Sequence, residues 1–90
     1  MITKQYRKGE SVFRAGDKSV SVCLLLSGEI GLYFPTDERD PYMHIKEYET
    51  FGEMGLIESE LRNARAMCLT DCEVLHIEKT DFEERIHNAD

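Results

Sequence analysis

The sequence predicts an all-β fold, a sandwich or a barrel, from three observations. Short apolar and β-branched stretches recur along the chain, and turns that contain glycine separate them about every eight to twelve residues. A polar stretch bracketed by Pro35 and Pro41 indicates an exposed hairpin loop. Helical patterns are short, because residues 54–57 allow about one turn and residues 79–86 only open a helix.

The predicted strands lie between these turns. The stretch 20–26 is almost entirely apolar, so we expect both of its faces to be buried. At the C-terminal end, Thr80 or Asp81 would cap the partial helix. In order, the predicted strands cover residues 11–14, 20–26, 30–34, 42–48, 64–69 and 72–78.

Length and charge limit the classes of protein that fit. Ninety residues, 41% hydrophobic and 32% charged, predict one small globular domain over residues 1–90. Eighteen acidic against eleven basic residues give a net charge of −7, which argues against direct nucleic acid binding. No apolar run reaches the roughly 18 residues of a membrane span, and residues 1–5 lack the apolar core of a signal peptide. We therefore expect a cytoplasmic protein with no membrane span.

Neither the cysteines nor the histidines are spaced for catalysis or metal binding. Cys23, Cys68 and Cys72 form no Cys-x-x-Cys pair, so we expect reduced thiols. The three histidines stand singly at positions 44, 76 and 87, whereas a jelly-roll metalloenzyme needs converging histidines and a carboxylate. We expect no catalytic residue, no metal site and no cofactor, and hence no enzyme.

The segment from Phe51 to Ala64 contains the residues of the chain that are best suited to binding a ligand. Gly52 and Gly55 permit a positive φ or a close backbone approach, and the short turn beside them offers free N–H groups to an anion. Arg62 supplies a planar fork of donors that suits two oxygens of one phosphate. Glu53 does not suit a phosphate, but its carboxylate can accept a hydrogen bond from a ribose hydroxyl. Together these groups indicate a nucleotide.

This segment resembles the phosphate-binding cassette of cyclic nucleotide-binding domains. The shared pattern is Phe-Gly-Glu-Met-Gly-Leu at residues 51–56, followed by Arg-Asn-Ala at residues 62–64. The resemblance implies that Arg62 pairs with the cyclic phosphate, while Glu53 accepts from the ribose 2′-hydroxyl and Gly52 permits that approach. Backbone amides of the cassette would lie near the phosphate. The ligand-binding residues implied are Gly52, Glu53, Gly55, Arg62, Asn63 and Ala64.

The flanking segments are also similar to this family. Lys-Gly-Glu at residues 8–10, Val-Phe at 12–13 and Gly-Asp at 16–17 resemble its opening turns. The resemblance covers residues 6 to about 86 and implies a jelly-roll-like β-roll with a short cassette helix and a partial C-terminal helix. The chain departs from the family at Tyr48, where a glycine usually stands.

The function implied by the resemblance is a regulatory module that binds a cyclic nucleotide and signals to an attached or partner effector by a population shift. Cyclic AMP is favoured over cyclic GMP, because Asn63 stands where a hydroxyl residue often accompanies cyclic GMP. If the Asn63 side chain is a bystander, base choice would fall to the strand residues around Met43 to Ile45. The alternative is a β-roll protein-interaction module that binds no nucleotide, in which Glu53 and Arg62 form only a surface ion pair.

Overall fold

The computed structural model describes residues 1–52, 61–78 and 81, and these residues form two four-stranded antiparallel sheets. The strands are β1 (Ile2–Tyr6), β2 (Ser11–Phe13), β3 (Ser21–Ser27), β4 (Ile30–Tyr33), β5 (Met43–Ile45), β6 (Thr50–Phe51), β7 (Arg65–Cys68) and β8 (Cys72–Glu78). One sheet has the strand order β1-β8-β3-β6 and the other has the order β2-β7-β4-β5. This architecture confirms the predicted all-β fold. Apart from Asp81, the predicted cassette helix at 54–57 and C-terminal helix at 79–86 lie outside the described residues.

Strand β1 was not predicted, and the reason is its exposure. It pairs with β8 along its whole length, from Ile2 opposite His76 to Tyr6 opposite Cys72. It is an edge strand of its sheet, and its first four residues are exposed. Because no apolar alternation is required of such a strand, the sequence carries no periodic signal there.

The predicted strand at 42–48 was wrong at its C-terminal end. Strand β5 ends at Ile45, and a turn over residues 46–49 leads into β6. Within that turn the Glu49 amide donates to the Lys46 carbonyl at 3.1 Å, and the Lys46 amide donates to the Glu49 carboxylate at 2.7 Å. The turn hydrogen bonds therefore interrupt the alternating pattern that suggested a longer strand.

Tyr48 sits in this turn with a φ of 68°, in the left-handed region that favours glycine. Its side chain is 74% exposed, so packing does not hold it there. Its amide donates to the Leu25 carbonyl at 2.7 Å, and the Leu25 amide donates back to the Glu49 carbonyl at 3.0 Å. The backbone thus adopts a glycine-type conformation at the position where the chain departs from the family resemblance.

The core lies between the two sheets. Consecutive residues Val22 and Cys23 are both buried, so the prediction that the stretch 20–26 is buried on both faces is confirmed in its middle, whereas Val20 at its start is 64% exposed. Cys23, Cys68 and Cys72 are buried free thiols. Burial raises the pKa of Cys23 to about 11 and that of Cys68 to about 12, so both remain protonated at neutral pH.

Candidate functional site

A pocket of about 240 Å³ opens between the end of β6, the loop before β7 and the exposed edge at β5. Most of its wall is apolar, and a single guanidinium lies at one end. Such a mixture suits a ligand with an anionic group and a flat apolar group. The lining residues are Phe13, Leu32, Tyr42, Met43, Ile45, Thr50, Phe51, Gly52, Arg62, Asn63 and Ala64.

Four of the six residues named from the sequence line this pocket together. Gly52 follows β6, and Arg62, Asn63 and Ala64 immediately precede β7. Among the backbone hydrogen bonds of the described turns and loops, none uses the amide of Asn63 or of Ala64 as its donor. The other two residues, Glu53 and Gly55, lie outside the described residues.

Arg62 is anchored by its backbone and its side chain at once. Its amide donates to the Asp17 carbonyl at 2.7 Å, and its carbonyl accepts from the Gly16 amide at 2.8 Å. Its terminal nitrogens donate to two backbone carbonyls, Nη1 to Gly52 at 2.7 Å and Nη2 to Ser21 at 2.8 Å. The guanidinium therefore bridges the first residue after β6 and the first residue of β3.

The Arg62 side chain is buried, but one of its hydrogen-bond donors has no partner among the described residues. The residue is only 7% exposed, and its Nε–H has no hydrogen-bond partner in the described part of the chain. Burial lowers the pKa of Arg62 from its usual value, while Cys23 and Asp17 act in the opposite direction. A guanidinium stays charged in proteins, so Arg62 contributes a positive charge to the lining of the pocket. A surface position for Arg62, as the ion-pair alternative required, is wrong.

Gly52 is a glycine for two physical reasons. Its φ is +83°, which confirms the expected positive-φ position. A Cβ at this residue would lie 2.6 Å from Arg62 Nη1 and 3.4 Å from a ring carbon of Phe13. The backbone approaches the guanidinium so closely that a side chain here would displace it.

The far wall of the pocket comes from β5 and the loop before it. Tyr42 and Met43 are partly exposed at the mouth, and Ile45 is buried below them. Phe34 stacks on Tyr42 with ring centroids 4.0 Å apart, and partial burial raises the pKa of Tyr42. Met43 and Ile45 are the strand residues named from the sequence as possible determinants of base choice. Phe13 was not among the site residues named from the sequence, because no spacing rule links it to Arg62.

The two described histidines make structural contacts. His76 Nε2 lies 2.8 Å from the Tyr6 hydroxyl, and its Nδ1 lies 3.7 Å from Cys23 Sγ. His44 Nδ1 lies 2.6 Å from a Glu29 carboxylate oxygen. Among residues 1–52, 61–78 and 81, no group of histidine, cysteine or acidic residues is arranged to hold a metal ion. The same residues contain no helix long and apolar enough to cross a membrane.

The chain is similar in sequence or in structure to several other proteins. The cAMP-dependent protein kinase regulatory subunit of Colletotrichum orbiculare is 31% identical over 81 residues, which are 90% of this chain and 20% of that protein. The structure of the EAL enzyme Bd1971 in its cAMP-bound form superposes with a TM-score of 0.85 at 28% identity, over 99% of this chain and 24% of that chain.

The catabolite activator protein of Thermus thermophilus superposes with a TM-score of 0.86 at 26% identity, over 98% of this chain and 42% of that chain. This chain thus spans about a fifth to two fifths of the length of these relatives. The profile of the family described as "Cyclic nucleotide-binding domain" matches residues 3–89. The chain belongs to the cyclic nucleotide-binding domain family.

Proposed function

We propose that this chain is a regulatory domain, spanning residues 1–90, that binds a 3′,5′-cyclic nucleotide through Arg62. The observation that carries the proposal is a buried guanidinium with an unpartnered Nε–H at one end of an apolar pocket. Each guanidinium has five N–H donors, and here two are used by carbonyls. The remaining donors suit the oxygens of a phosphate that is partly shielded from water.

The rest of the pocket supports a nucleotide over a bare phosphate. The amides of Asn63 and Ala64 lie beside Arg62 and add neutral donors for the same anion. The apolar wall formed by Leu32, Met43 and Ile45 gives a purine a surface to cover. Glu53 would accept from the ribose 2′-hydroxyl, and Gly55 would add a further amide, as the family cassette implies.

The bound phosphate would act as a switch through the contacts of Arg62. The guanidinium joins Gly52 to Ser21, so an anion that draws it into the pocket changes how the end of β6 is held against β3. A ligand that favours one of two arrangements shifts their populations, and an effector attached to or docked on the domain can sense this. We place that effector outside this chain. The role is regulatory rather than catalytic.

We propose cyclic AMP as the preferred ligand over cyclic GMP. Two relatives support this choice, since one is named a cAMP-dependent kinase regulatory subunit and Bd1971 is described in a cAMP-bound form. Bd1971 is also described in a cGMP-bound form, so the pocket type admits both bases. Asn63 offers no hydroxyl for the guanine amino group.

A thermal melt tests the function directly. Ligand at about a hundred times its dissociation constant should add roughly 2.7 kcal/mol of stability, or roughly 10–20 °C in melting temperature for a domain of this size. Cyclic AMP should give the largest shift, cyclic GMP a smaller one, and plain AMP, whose phosphate is not cyclised, little or none. No shift with either cyclic nucleotide at millimolar concentration would overturn the proposal and favour the protein-interaction alternative.

A further inference from the structure

Strand β2 contains a bulge that changes the direction of one side chain. Ser11 pairs with Met67 and Phe13 pairs with Ala66, so two steps along β2 correspond to one step along β7. Opposed residues of an antiparallel pair point to the same face of the sheet. Ala66 is fully buried, so the extra residue turns the Phe13 ring towards the interior.

The Phe13 ring then covers one face of the Arg62 guanidinium. The guanidinium carbon lies 4.2 Å from the ring centroid. The hydrogen bonds to Gly52 and Ser21 restrain the guanidinium at its terminal nitrogens, while the ring restrains it from one face. What is left without a partner in the described residues is Nε, which is itself buried.

We propose that Phe13 is the positioning residue that holds Arg62 with its Nε–H unpaired for the anion, an inference that rests on the function proposed above. The ring is suited to this task because it attracts the cation without using any of its N–H donors. A carboxylate in the same place would compete with a phosphate for those donors. The bulge in β2 is the backbone feature that makes the contact possible.

The contact can be tested without any ligand. The Arg62 Nε–H should give a resolved NMR signal, shifted by the ring current of Phe13 because ring and guanidinium are only 4.2 Å apart. Phe13→Leu should move that signal, whereas Val74→Ala, which removes buried volume from β8 away from the pocket, should not. An Arg62 signal that Phe13→Leu leaves in place would overturn the proposal.

The role in binding is tested by comparing a charged and an uncharged ligand. Phe13→Leu should weaken cyclic AMP binding about twofold to thirtyfold, the range of a cation–π contact, and leave the binding of uncharged adenosine unchanged. Phe13→Tyr keeps the ring face and should restore most of the affinity, and Val74→Ala should change neither ligand. Equal weakening of both ligands would show that Phe13 is only a wall of the pocket, which overturns the proposal.

The two proposals fail in different ways. If the unaltered protein binds no cyclic nucleotide, the proposed function fails and the positioning role fails with it. If that protein binds cyclic AMP and Phe13→Leu binds it equally well, the function stands and only the positioning role is refuted.

Discussion

The pocket beside Arg62 contrasts with a second cavity, which shares none of its lining residues. That cavity is larger, about 420 Å³, and most of its lining side chains are polar or charged. Several of its polar groups are paired within the protein, for instance Gln5 with Glu73 at 3.1 Å and the Arg7 amide with Glu10 at 2.7 Å. It is lined by Gln5, Tyr6, Arg7, Glu10, Ser27, Asp71, Cys72 and Glu73.

The difference shows that a buried hydrogen-bond donor without a partner, rather than the volume of a cavity, identifies a binding site. Exposed polar pairs in an open cleft add little binding energy when a ligand arrives, because they already form hydrogen bonds with water. A buried cation with an unused donor gains a full charge-assisted hydrogen bond. The smaller pocket has such a donor at Arg62, and no buried unpartnered donor is found in the larger cavity among the described residues.

The strongest test of this contrast removes the cation. Arg62→Ala should weaken cyclic AMP binding by about 2–5 kcal/mol, because the phosphate loses its charged partner in a partly dry site. Arg62→Lys should recover only part of that loss, since a point charge cannot reproduce the fork. Glu73→Gln in the larger cavity is the matched control and should leave the affinity unchanged. Titration calorimetry measures all three, and a larger loss from Glu73→Gln than from Arg62→Ala would reverse the assignment.

A second test displaces the guanidinium instead of deleting it. Gly52→Ala places a Cβ 2.6 Å from Arg62 Nη1 at a φ of +83°, so we expect a stability loss of about 2 kcal/mol and about tenfold weaker binding. Gly9→Ala carries the same backbone strain at a φ of +91°, with nothing within 4 Å of the new Cβ. Gly9→Ala should therefore lose stability but keep its affinity for the nucleotide. Equal loss of affinity in both variants would mean that the contact with Arg62 is irrelevant to binding.

The same contrast marks the limit of what the sequence could predict. The glycine turns, the apolar β3 and the positive φ of Gly52 were predictable, since each rests on local spacing or conformational preference. Phe13 was not, because its contact with Arg62 depends on a bulge and on pairing between residues that are far apart in the chain. The exposed edge strand β1 was not predicted either, because its exposed residues require no apolar pattern.

A smaller effect is expected in the turn that leads into the pocket wall. Tyr48→Gly should raise the free energy of unfolding by about 1 kcal/mol, because glycine relieves the left-handed conformation at a φ of 68°. Tyr48→Ala keeps a Cβ in that conformation and should gain little. Chemical denaturation measures both variants, and nucleotide affinity should not change. If alanine stabilises as much as glycine, the exposed ring rather than the backbone is the source of strain.

The smallest effect concerns His76, which lies between the two cavities. Tyr6 lines the larger cavity, and its hydroxyl lies 2.8 Å from His76 Nε2. The Ser21 hydroxyl lies 3.4 Å from His76 Nδ1, and the Ser21 carbonyl accepts a hydrogen bond from Arg62. Burial lowers the pKa of His76 from 6.5, and the charges of Lys4 and Arg62 lower it further. The unfolded chain therefore binds the proton more readily than the folded protein does.

The contribution of His76 to stability should be fully present above pH 6.5 and lost as the pH falls through its lowered pKa. His76→Phe should flatten that dependence. A bound phosphate would offset the charge of Arg62, so cyclic AMP should raise the pKa of His76 towards its ordinary value, and NMR titration with and without ligand measures the change. By linkage, affinity should then rise slightly as the pH falls through this range. A His76 pKa that does not move when cyclic AMP binds would show that the phosphate does not lie near Arg62, and would remove the electrostatic distinction between the two cavities.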